Sequence, residues 1–362
     1  MSYINGKKFI VDIFGESHSG AIGVVINGIP PGVPVDIGDI NAFLARRRPN
    51  GGVHSTTRRE SDTAEMLSGC LNGVATGAPL AVIIRNADVR SADYENIKRA
   101  FRPSHSDYAA YVKYGGYNDY RGGGQFSGRL TAPLCIAGSI ALKLLKERGI
   151  KVTAYISSVG QVKAKSYADY ADIEKLLTEQ KIEEIKSSLY PLLDKSAEEA
   201  IIEEIASAAR EGDSVGGVIE CAVTGLLPGI GEPLYDSLEG LIAKTVFAVP
   251  SVKGVEFGDG FGITSKRGSE ANDPMYYDGE RVRTYKNSNG GITGGISNGM
   301  PLTFRAAFKP VSSISKEQDT VDADKKKNVK IIIDGRHDAC ILPRAVPVVE
   351  AAAACVLLDL IL

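Results

Sequence analysis

The sequence has few cysteines and no CxxC pair. Its five cysteines are odd in number and widely scattered: Cys70, Cys135, Cys221, Cys340 and Cys355. This pattern favours reduced thiols over a disulfide framework, as is usual in a cytoplasm. We therefore expect a cytoplasmic protein, and we expect no bound metal ion.

Segments that would direct the chain to a membrane are also missing. The N-terminus has no apolar stretch before a small-residue cleavage site, and the most apolar stretch, 345–362, is interrupted by Pro347, Glu350 and Asp359. The net charge is only −2, which argues against a general nucleic-acid coat. We expect neither a membrane nor a nucleic acid as a partner.

The common nucleotide-binding fingerprints are absent as well. The chain has neither the GxxxxGK[ST] spacing of a P-loop nor a GxGxxG between a strand and a helix. Its 43% hydrophobic and 24% charged content is that of a soluble globular protein. With 362 residues it can bury a sizeable core, as one large domain or two ordinary ones.

A glycine-rich stretch followed by a helix is the most prominent local feature. The segment 120–133 reads YRGGGQFSGRLTAP, and Gly122–Gly124 leave the backbone open to close approach by a ligand. The apolar run that follows predicts a buried helix with Thr131 as N-cap and a stop at Gly149. Such a helix points its positive end at the glycines, which favours an anionic ligand. A glycine turn that merely feeds a core helix is the alternative.

Arginines cluster shortly after the predicted first helix. Arg46–Arg48 end that helix, and the following loop adds His54, Arg58 and Arg59, so five arginines occur within 14 positions without an intervening acid. Such groups suit a bidentate clamp for phosphate or carboxylate, although a solvated basic surface has the same composition.

The four histidines share one kind of surrounding. His18, His54, His105 and His337 all fall in loops rich in glycine, serine or arginine. Asp107 follows His105 closely enough to orient its ring. Together these loops predict a single assembled anionic site rather than scattered surface polarity.

Two other segments differ in character from these loops. Segment 167–211 is rich in Glu, Lys, Ala and Leu with helical periodicity, which predicts scaffold. Segment 266–299 is dense in glycine and lacks strong periodicity, which predicts a functional loop that contacts a ligand through its backbone.

Two functions other than catalysis are compatible with these loops. A regulatory protein that binds a phosphometabolite or a nucleotide would use the same arginines and glycines. An RNA-binding surface would interleave aromatic residues with the basic ones, and the clusters at Arg46 and Arg58 contain none.

The loops, taken in order, resemble the chorismate synthase family over essentially the whole chain. The matching stretches are FGESHSG, RRRPNGG with TTRRE, FRPSHSDY, YRGGGQFSGRLTAP, VKGVEFGDGF, GGITGGISNG, KPVSSI and GRHDACILPRAVPVVEA. The resemblance implies an α+β fold, namely a β-α-β sandwich with helices packed between two antiparallel sheets. It also implies a single domain spanning 1–362 and assembly as a homotetramer.

The resemblance further implies a lyase of the shikimate pathway. The reaction is the anti-1,4-elimination of phosphate from 5-enolpyruvylshikimate 3-phosphate, which gives chorismate. Reduced FMN is required without net redox change, and NADPH is a possible external source of reductant.

Roles for individual residues follow by motif match. The resemblance implies that His18 protonates the leaving phosphate and that His105 stabilises the reduced flavin near N1. It implies that Asp338 works with flavin N5 in removing the ring hydrogen, with support from Ser17 and Ser127. The arginines implied to hold the substrate are Arg48, Arg129 and Arg336.

The cofactor contacts are implied in the same way. The residues expected to contact FMN are Gln125, Phe126, Ser127, Pro250, Ser251, Gly294, Lys309, Pro310, Val311, Ser312, Ser313 and Arg336. Relatives often carry Arg-Ser where this chain has Gln125 and Phe126. Arg47 and Val53 are the positions of a possible NADP contact, and Val53 replaces an arginine seen in other members.

Overall fold

The computed structural model describes residues 3–4, 6–49, 62–86, 98–170, 172–333 and 337–362. The helices within these ranges are α1 (Ile37–Arg47), α2 (Asp107–Lys113), α3 (Thr131–Glu147), α4 (Ile173–Leu176), α5 (Glu179–Ser187), α6 (Glu198–Arg210), α7 (Leu238–Phe247), α8 (Gly268–Ala271) and α9 (Leu342–Ile361). The strands are β1 (Tyr3–Ile4), β2 (Ile10–Gly15), β3 (Ala21–Asn27), β4 (Ala64–Ser68), β5 (Cys70–Leu71), β6 (Val74–Ala75), β7 (Leu80–Arg85), β8 (Lys151–Val159), β9 (Val162–Lys163), β10 (Gly217–Thr224), β11 (Val252–Phe257), β12 (Met275–Asp278), β13 (Arg281–Thr284), β14 (Ile292–Thr293), β15 (Ile296–Ser297), β16 (Leu302–Phe308), β17 (Gln318–Asp322) and β18 (Lys327–Ile331).

Two five-stranded sheets enclose a layer of helices. The first sheet has the strand order β1-β2-β3-β7-β4 and the second has the order β11-β16-β10-β8-β9, with every pair antiparallel. Helix α3 packs on β2, β3 and β7, helix α9 packs on β8 and β10, and the two helices pack on each other. The predicted β-α-β sandwich is therefore confirmed.

The two central helices are apolar on nearly every face because each lies between a sheet and another helix. In α9 every residue from Leu342 to Leu358 except Arg344 is buried. The stretch Gly128–Glu147 is long and apolar enough to cross a membrane, but 61% of its most apolar window is buried inside the protein. Its composition is explained by its place in the core, where one apolar cluster joins both sheets.

The closest approach of α3 and α9 depends on small residues. Ala351–Ala354 of α9 are fully buried, and a Cβ added to Gly138 of α3 would lie 2.2 Å from the Ala351 Cβ. Real atoms do not approach so closely, so a side chain at this position must push the two helices apart. The glycine therefore sets the spacing of the helical layer.

We expect Gly138→Ala to lower the free energy of unfolding by about 1–3 kcal/mol, the usual cost of overpacking a core. Thermal and denaturant unfolding measure the loss. Gly262→Ala is the matched control, because a Cβ there has no atom within 4 Å. Equal stability of both variants would contradict the helix spacing described above.

The start of α3 differs from the prediction. Thr131 is already the first residue of the helix, and a 3-10 turn, Gly128–Leu130, precedes it. Ser127 caps that turn by accepting a hydrogen bond from the backbone N–H of Arg129 at 3.3 Å. Because the turn continues directly into the helix, the cap lies four residues earlier than the sequence pattern indicated.

Segment 266–299 also differs from the long loop that was predicted. It contains α8 and two short hairpins, β12–β13 and β14–β15. At the second hairpin Gly294 and Gly295 have φ of 63° and 87°, as a two-residue turn between antiparallel strands requires. Strands of two to four residues are too short to produce a visible alternation. By contrast, the predicted scaffold 167–211 does contain helices, α4, α5 and α6.

Candidate active site

A cleft of about 640 Å³ lies at one end of the helical layer. Its wall includes the first turns of α3 and α9, the last residues of α1 and α7, and residues from the segments 102–106, 122–129 and 308–313. Because two helices begin here, backbone N–H groups without helical partners and positive dipole ends lie beside the same space. This arrangement suits an anionic ligand.

The three-glycine turn lies between two of the predicted catalytic histidines. A Cβ on Gly122 would lie 2.6 Å from Ser17 Oγ and 2.8 Å from His18 Nε2. A Cβ on Gly123 would lie 3.3 Å from His105 Nε2. Both glycines also have positive φ, 59° and 84°. Only glycine can adopt this backbone conformation and also leave room for the neighbouring side chains. The turn therefore allows His18 and His105 to lie against successive residues.

His105 contacts a buried ion pair formed by Arg102 and Asp107. Its Nδ1 lies 2.6 Å from Asp107 Oδ1, and Arg102 Nε donates to Asp107 Oδ2 at 2.8 Å. Burial by itself would raise the pKa of Asp107, but hydrogen bonds from Arg102 and His105 outweigh it and hold the pKa well below its usual value. The carboxylate is therefore ionised throughout the physiological range.

A second buried carboxylate holds two arginines side by side. Asp62 accepts from Arg47 Nη1 at 2.8 Å, and its other oxygen pairs with Arg129. Arg47 also donates to Thr131 Oγ1 at 3.0 Å and to the Gly128 carbonyl at 3.2 Å. These contacts fix the positions of both guanidinium groups at this corner of the cleft.

Asp338 lies in the same cleft and pairs with Arg344 of α9. Arg344 Nη1 donates to Asp338 Oδ2 at 2.6 Å, and its Nε donates to the Arg47 carbonyl at 3.0 Å. Both side chains are mostly buried, with 13% and 15% exposure. Arg344 thus holds the Asp338 carboxylate in the cleft and joins it to the Asp62 cluster.

The opposite end of the cleft contains lysines and serines. Lys309 Nζ donates to Ser312 Oγ at 3.1 Å. The pKa of Lys309 is lowered from its usual value, mainly by burial and to a smaller extent by the positive charge of Lys253. Ser251 has φ of 76°, which is rare for a residue with a side chain, and its carbonyl accepts from the Lys309 N–H at 2.9 Å. Strain of this kind is typical of ligand sites.

The charge of the cleft has one dominant sign. Among the described residues its wall contains six Arg and Lys side chains and one carboxylate, Asp338: Arg47, Arg102, Arg129, Lys253, Lys309 and Arg344. Such a surface selects polyanions and disfavours neutral or cationic ligands.

Most of the predicted site residues meet in this cleft. Its wall contains Ser17, Arg47, His105, Gln125, Phe126, Ser127, Arg129, Pro250, Ser251, Lys309, Val311, Ser312, Ser313 and Asp338. His18 lies beside Gly122 but is not part of the cleft wall, and Pro310 belongs to the loop that carries Lys309. His337 lines the cleft as well, and its Nε2 lies 3.1 Å from the Ile333 carbonyl.

Some predicted residues lie elsewhere. Arg48 is the C-cap of α1 and does not line the cleft, whereas its neighbour Arg47 does. Gly294 lies in the β14–β15 turn and is also not part of the cleft wall. Val53, His54, Arg58, Arg59 and Arg336 lie outside the described residues. The roles assigned to all of these stay predictions.

Other residues of the cleft were not assigned from the sequence. Arg102, Lys253 and Arg344 stand within the motifs FRPSHSD, VKGVEFGDGF and GRHDACILPR, and their spacing from the predicted site residues was the signal available. No sequence signal indicated Asp62, whose importance depends on its two arginine partners and on its full burial.

Comparisons with known proteins show which family the chain resembles over its whole length. A family profile described as chorismate synthase matches residues 9–362. Proteins with that name from Dehalococcoides mccartyi and Korarchaeum cryptofilum are 45% and 44% identical over 362 and 357 residues, covering 100% and 98% of this chain and 97% and 96% of those proteins. A crystal structure of a chorismate synthase superposes with a TM-score of 0.76 at 27% identity, over 98% of this chain and 92% of that chain.

Proposed function

Since the chain belongs to the chorismate synthase family and converts 5-enolpyruvylshikimate 3-phosphate to chorismate by eliminating phosphate, we propose that this reaction takes place in the cleft with reduced FMN as cofactor. The observation that carries the proposal is the juxtaposition of the three-glycine turn, two histidines and six cationic side chains. The substrate carries a phosphate and two carboxylates, so it matches the sign of this charge.

The described residues fit a flavin phosphate and a flat ring. Lys309, Lys253 and the hydroxyl of Ser312 form a cationic, donor-rich end, which suits a phosphate. The glycine turn and the apolar side chains Phe126, Val249 and Phe308 offer surfaces without charge along the rest of the cleft. Reduced FMN bound there would supply electron density to the substrate during the elimination of phosphate, with no net oxidation.

The chain's own residues supply proton transfer and orientation. We assign His18 to protonation of the leaving phosphate and His105 to the flavin side of the glycine turn, because the two rings lie against successive glycines. Asp338 holds the proton that leaves the substrate ring, and Arg344 orients its carboxylate. The backbone N–H groups of Ser17 and Ser127 donate to the Gly124 carbonyl at 3.2 and 3.4 Å, and these contacts support the glycine turn.

Binding of the substrate's anionic groups falls to the arginines around Asp62. Arg129 and Arg47 both line the cleft wall, and Asp62 holds their guanidinium groups in place there. The two arginines start from fixed positions, so little side-chain entropy is lost on binding. Arg48 and Arg336 stay predicted substrate contacts, although Arg48 does not line the cleft and Arg336 lies outside the described residues.

Arg129→Ala is expected to weaken substrate binding by about 1.5–3 kcal/mol, because it removes a charge-assisted contact to an anion. Asp62 keeps Arg47 as its partner, so the fold should survive. Equilibrium binding of the substrate measures the loss, and Arg148→Ala at the far end of α3 is the matched control. Unchanged substrate affinity with lost FMN binding would assign this corner to the cofactor instead.

The source of electrons is a separate part of the proposal. We propose NADPH as an external reductant that acts through a separate flavin reductase and does not itself dock in the cleft, because Val53 stands where other members of the family carry an arginine. An anaerobic assay with photoreduced FMN, repeated with NADPH and oxidised FMN, tests this. Turnover with NADPH in the absence of any separate flavin reductase would contradict it.

We also propose a cytoplasmic homotetramer made of single-domain subunits. All five cysteines are free thiols, which suits a reducing compartment, and one continuous apolar core joins the three layers. Exposed apolar side chains such as Leu234 (82%), Tyr235 (95%) and Phe261 (83%) offer a surface for association. Sedimentation velocity measures the assembly.

The reaction itself is tested by anaerobic turnover. With photoreduced FMN and substrate, release of phosphate and formation of chorismate should occur together with a substrate-dependent change in the flavin spectrum. Binding of phosphometabolites without FMN binding would favour the regulatory function that the loops alone allow. The same experiment therefore separates the two.

A further inference from the structure

We propose that Asp107 is a positioning residue for His105, fixing the proton on Nδ1 and so leaving Nε2 as the ring nitrogen that exchanges a proton in the cleft. This inference rests on the proposed function only in that His105 acts at the flavin side of the cleft. It assigns a role to a carboxylate that is not itself part of the cleft wall.

The donor geometry around Asp107 requires a proton on Nδ1. Asp107 Oδ1 lies 2.6 Å from His105 Nδ1, and an ionised carboxylate can only accept a hydrogen bond. If Nδ1 had no proton, two lone pairs would face each other at that distance. The imidazole must therefore donate from Nδ1, which leaves Nε2 with a lone pair in the neutral ring.

Arg102 keeps the carboxylate from rotating away. Its Nε and backbone N–H donate to Asp107 Oδ2 at 2.8 and 3.0 Å, and its Nη2 donates to Oδ1 at 2.8 Å. Arg102 Nη2 also lies 3.1 Å from His105 Nδ1. Since a guanidinium has no acceptor, it cannot receive the Nδ1 proton, and the shared Oδ1 is the acceptor for both groups.

The other ring nitrogen faces the glycine turn. Gly123 presents its Cα to the ring, and an added Cβ would lie 3.2 Å from His105 Cε1 and 3.3 Å from Nε2. Ser104, with φ of 57°, turns the chain just before the histidine, and its carbonyl accepts from Ser312 Oγ at 3.3 Å. The ring is thus held between a buried carboxylate on one side and the cleft on the other.

This geometry has the same logic as a carboxylate that orients a catalytic histidine in a hydrolase. The carboxylate does not take the proton itself. It selects the tautomer and stabilises the protonated ring, so a proton enters and leaves at Nε2.

The tautomer can be observed without cofactor or substrate. Solid-state NMR of apoprotein labelled with 15N-histidine distinguishes protonated from unprotonated ring nitrogens, and His105→Gln assigns the signals. We expect the neutral His105 ring to be protonated at Nδ1 and not at Nε2. In Asp107→Asn the Nε2-protonated form should gain population, because an amide can donate to Nδ1.

Kinetics provide the second readout. We expect Asp107→Asn to lower kcat by about 10–100-fold, the range found when a group that orients a catalytic ligand is lost, with KM and FMN affinity within about threefold of the wild type. Asp322→Asn is the matched control, because Asp322 is a similarly buried aspartate (7% against 9%) that accepts backbone N–H bonds away from the cleft. It should retain wild-type turnover.

A second variant keeps the inference testable if Asp107→Asn does not fold. Asp107→Asn leaves the Arg102 charge poorly paired, so the double variant Arg102→Gln/Asp107→Asn, which removes both charges, is examined by NMR as well. A wild-type His105 protonated at Nε2, or an unchanged Nδ1 tautomer in a folded variant, would overturn the assignment.

The outcomes also separate this inference from the proposed function. The expected tautomer in a wild-type protein that fails to eliminate phosphate with reduced FMN would refute the proposed function and leave the Asp107 assignment intact. Flavin-dependent turnover together with a neutral His105 ring protonated at Nε2 would refute the Asp107 assignment and leave the proposed function intact.

Discussion

His18→Ala and His105→Ala are each expected to lower turnover by roughly 10²–10⁴, the range for losing a positioned proton-transfer group. The two rings lie against Gly122 and Gly123, so each can reach a ligand seated on the glycine turn. Anaerobic turnover with photoreduced FMN measures the loss. Thermal unfolding should change little, because neither ring belongs to the apolar core.

The two histidine variants should differ in their FMN affinity and in the spectrum of the bound reduced flavin. His105→Ala is expected to weaken FMN binding or shift its reduced spectrum, whereas His18→Ala should leave both unchanged. His337→Ala is the matched comparison, because its Nε2 contacts a backbone carbonyl, and we expect it to lose less than about tenfold. Near-normal turnover in both His18→Ala and His105→Ala would show that the assigned roles are wrong.

Asp338→Asn is expected to bind reduced FMN and substrate but to eliminate phosphate slowly, again by roughly 10²–10⁴. The amide keeps the shape of the carboxylate and can still accept from Arg344, which donates to Asp338 at 2.6 Å in the wild type. It cannot take the ring proton. Stopped-flow spectra should show the substrate-dependent flavin change forming and persisting.

Isotopic substitution sharpens this experiment. If hydrogen removal limits the variant, deuterium at the departing ring position will slow it further. Asp236→Asn is the matched control, because Asp236 pairs with Lys7 at 2.8 Å on the surface and should keep wild-type turnover. A variant at position 338 that turned over normally, or that failed to bind FMN, would leave Asp338 with a structural role alone.

The regular elements of the central layer followed from local pattern. The apolar runs after residues 130 and 341 predicted buried helices, and α3 and α9 occupy those positions. Segment 167–211 was likewise predicted as helical scaffold, and α4, α5 and α6 lie within it. A helix buried on all sides needs apolar residues throughout, so its composition is visible without any knowledge of its partners.

Element boundaries and short hairpins were less visible. Thr131 has the residue type of an N-cap, yet a 3-10 turn beginning after Ser127 moved the cap upstream. The glycines of 290–299 predict ligand contact, and Gly294 and Gly295 also form a hairpin turn that the sequence did not indicate. In both cases one residue type serves two purposes, and local sequence does not distinguish them.

The arginine cluster after α1 shows which features of the site the sequence could not predict. The sequence placed positive charge after α1, but Arg47 rather than Arg48 faces the cleft, because its position on the helix directs it toward Asp62 and Thr131. Arg344 was not assigned at all, although it holds Asp338. Both facts depend on which groups meet across the helical layer.

By itself the sequence determined the family, the reaction and the kinds of group in the site, because motifs of glycine, histidine and arginine carry chemistry that depends on residue type and spacing. Only the tertiary structure decided how those groups are paired. Asp62 is shared by Arg47 and Arg129, and Glu350 of α9 accepts from Arg46 at 2.6 Å and from the Ala154 N–H at 3.1 Å inside the core. Several of these contacts join segments distant in sequence, and all of them involve charges shielded from water, whose partners are fixed by packing and not by local sequence preference.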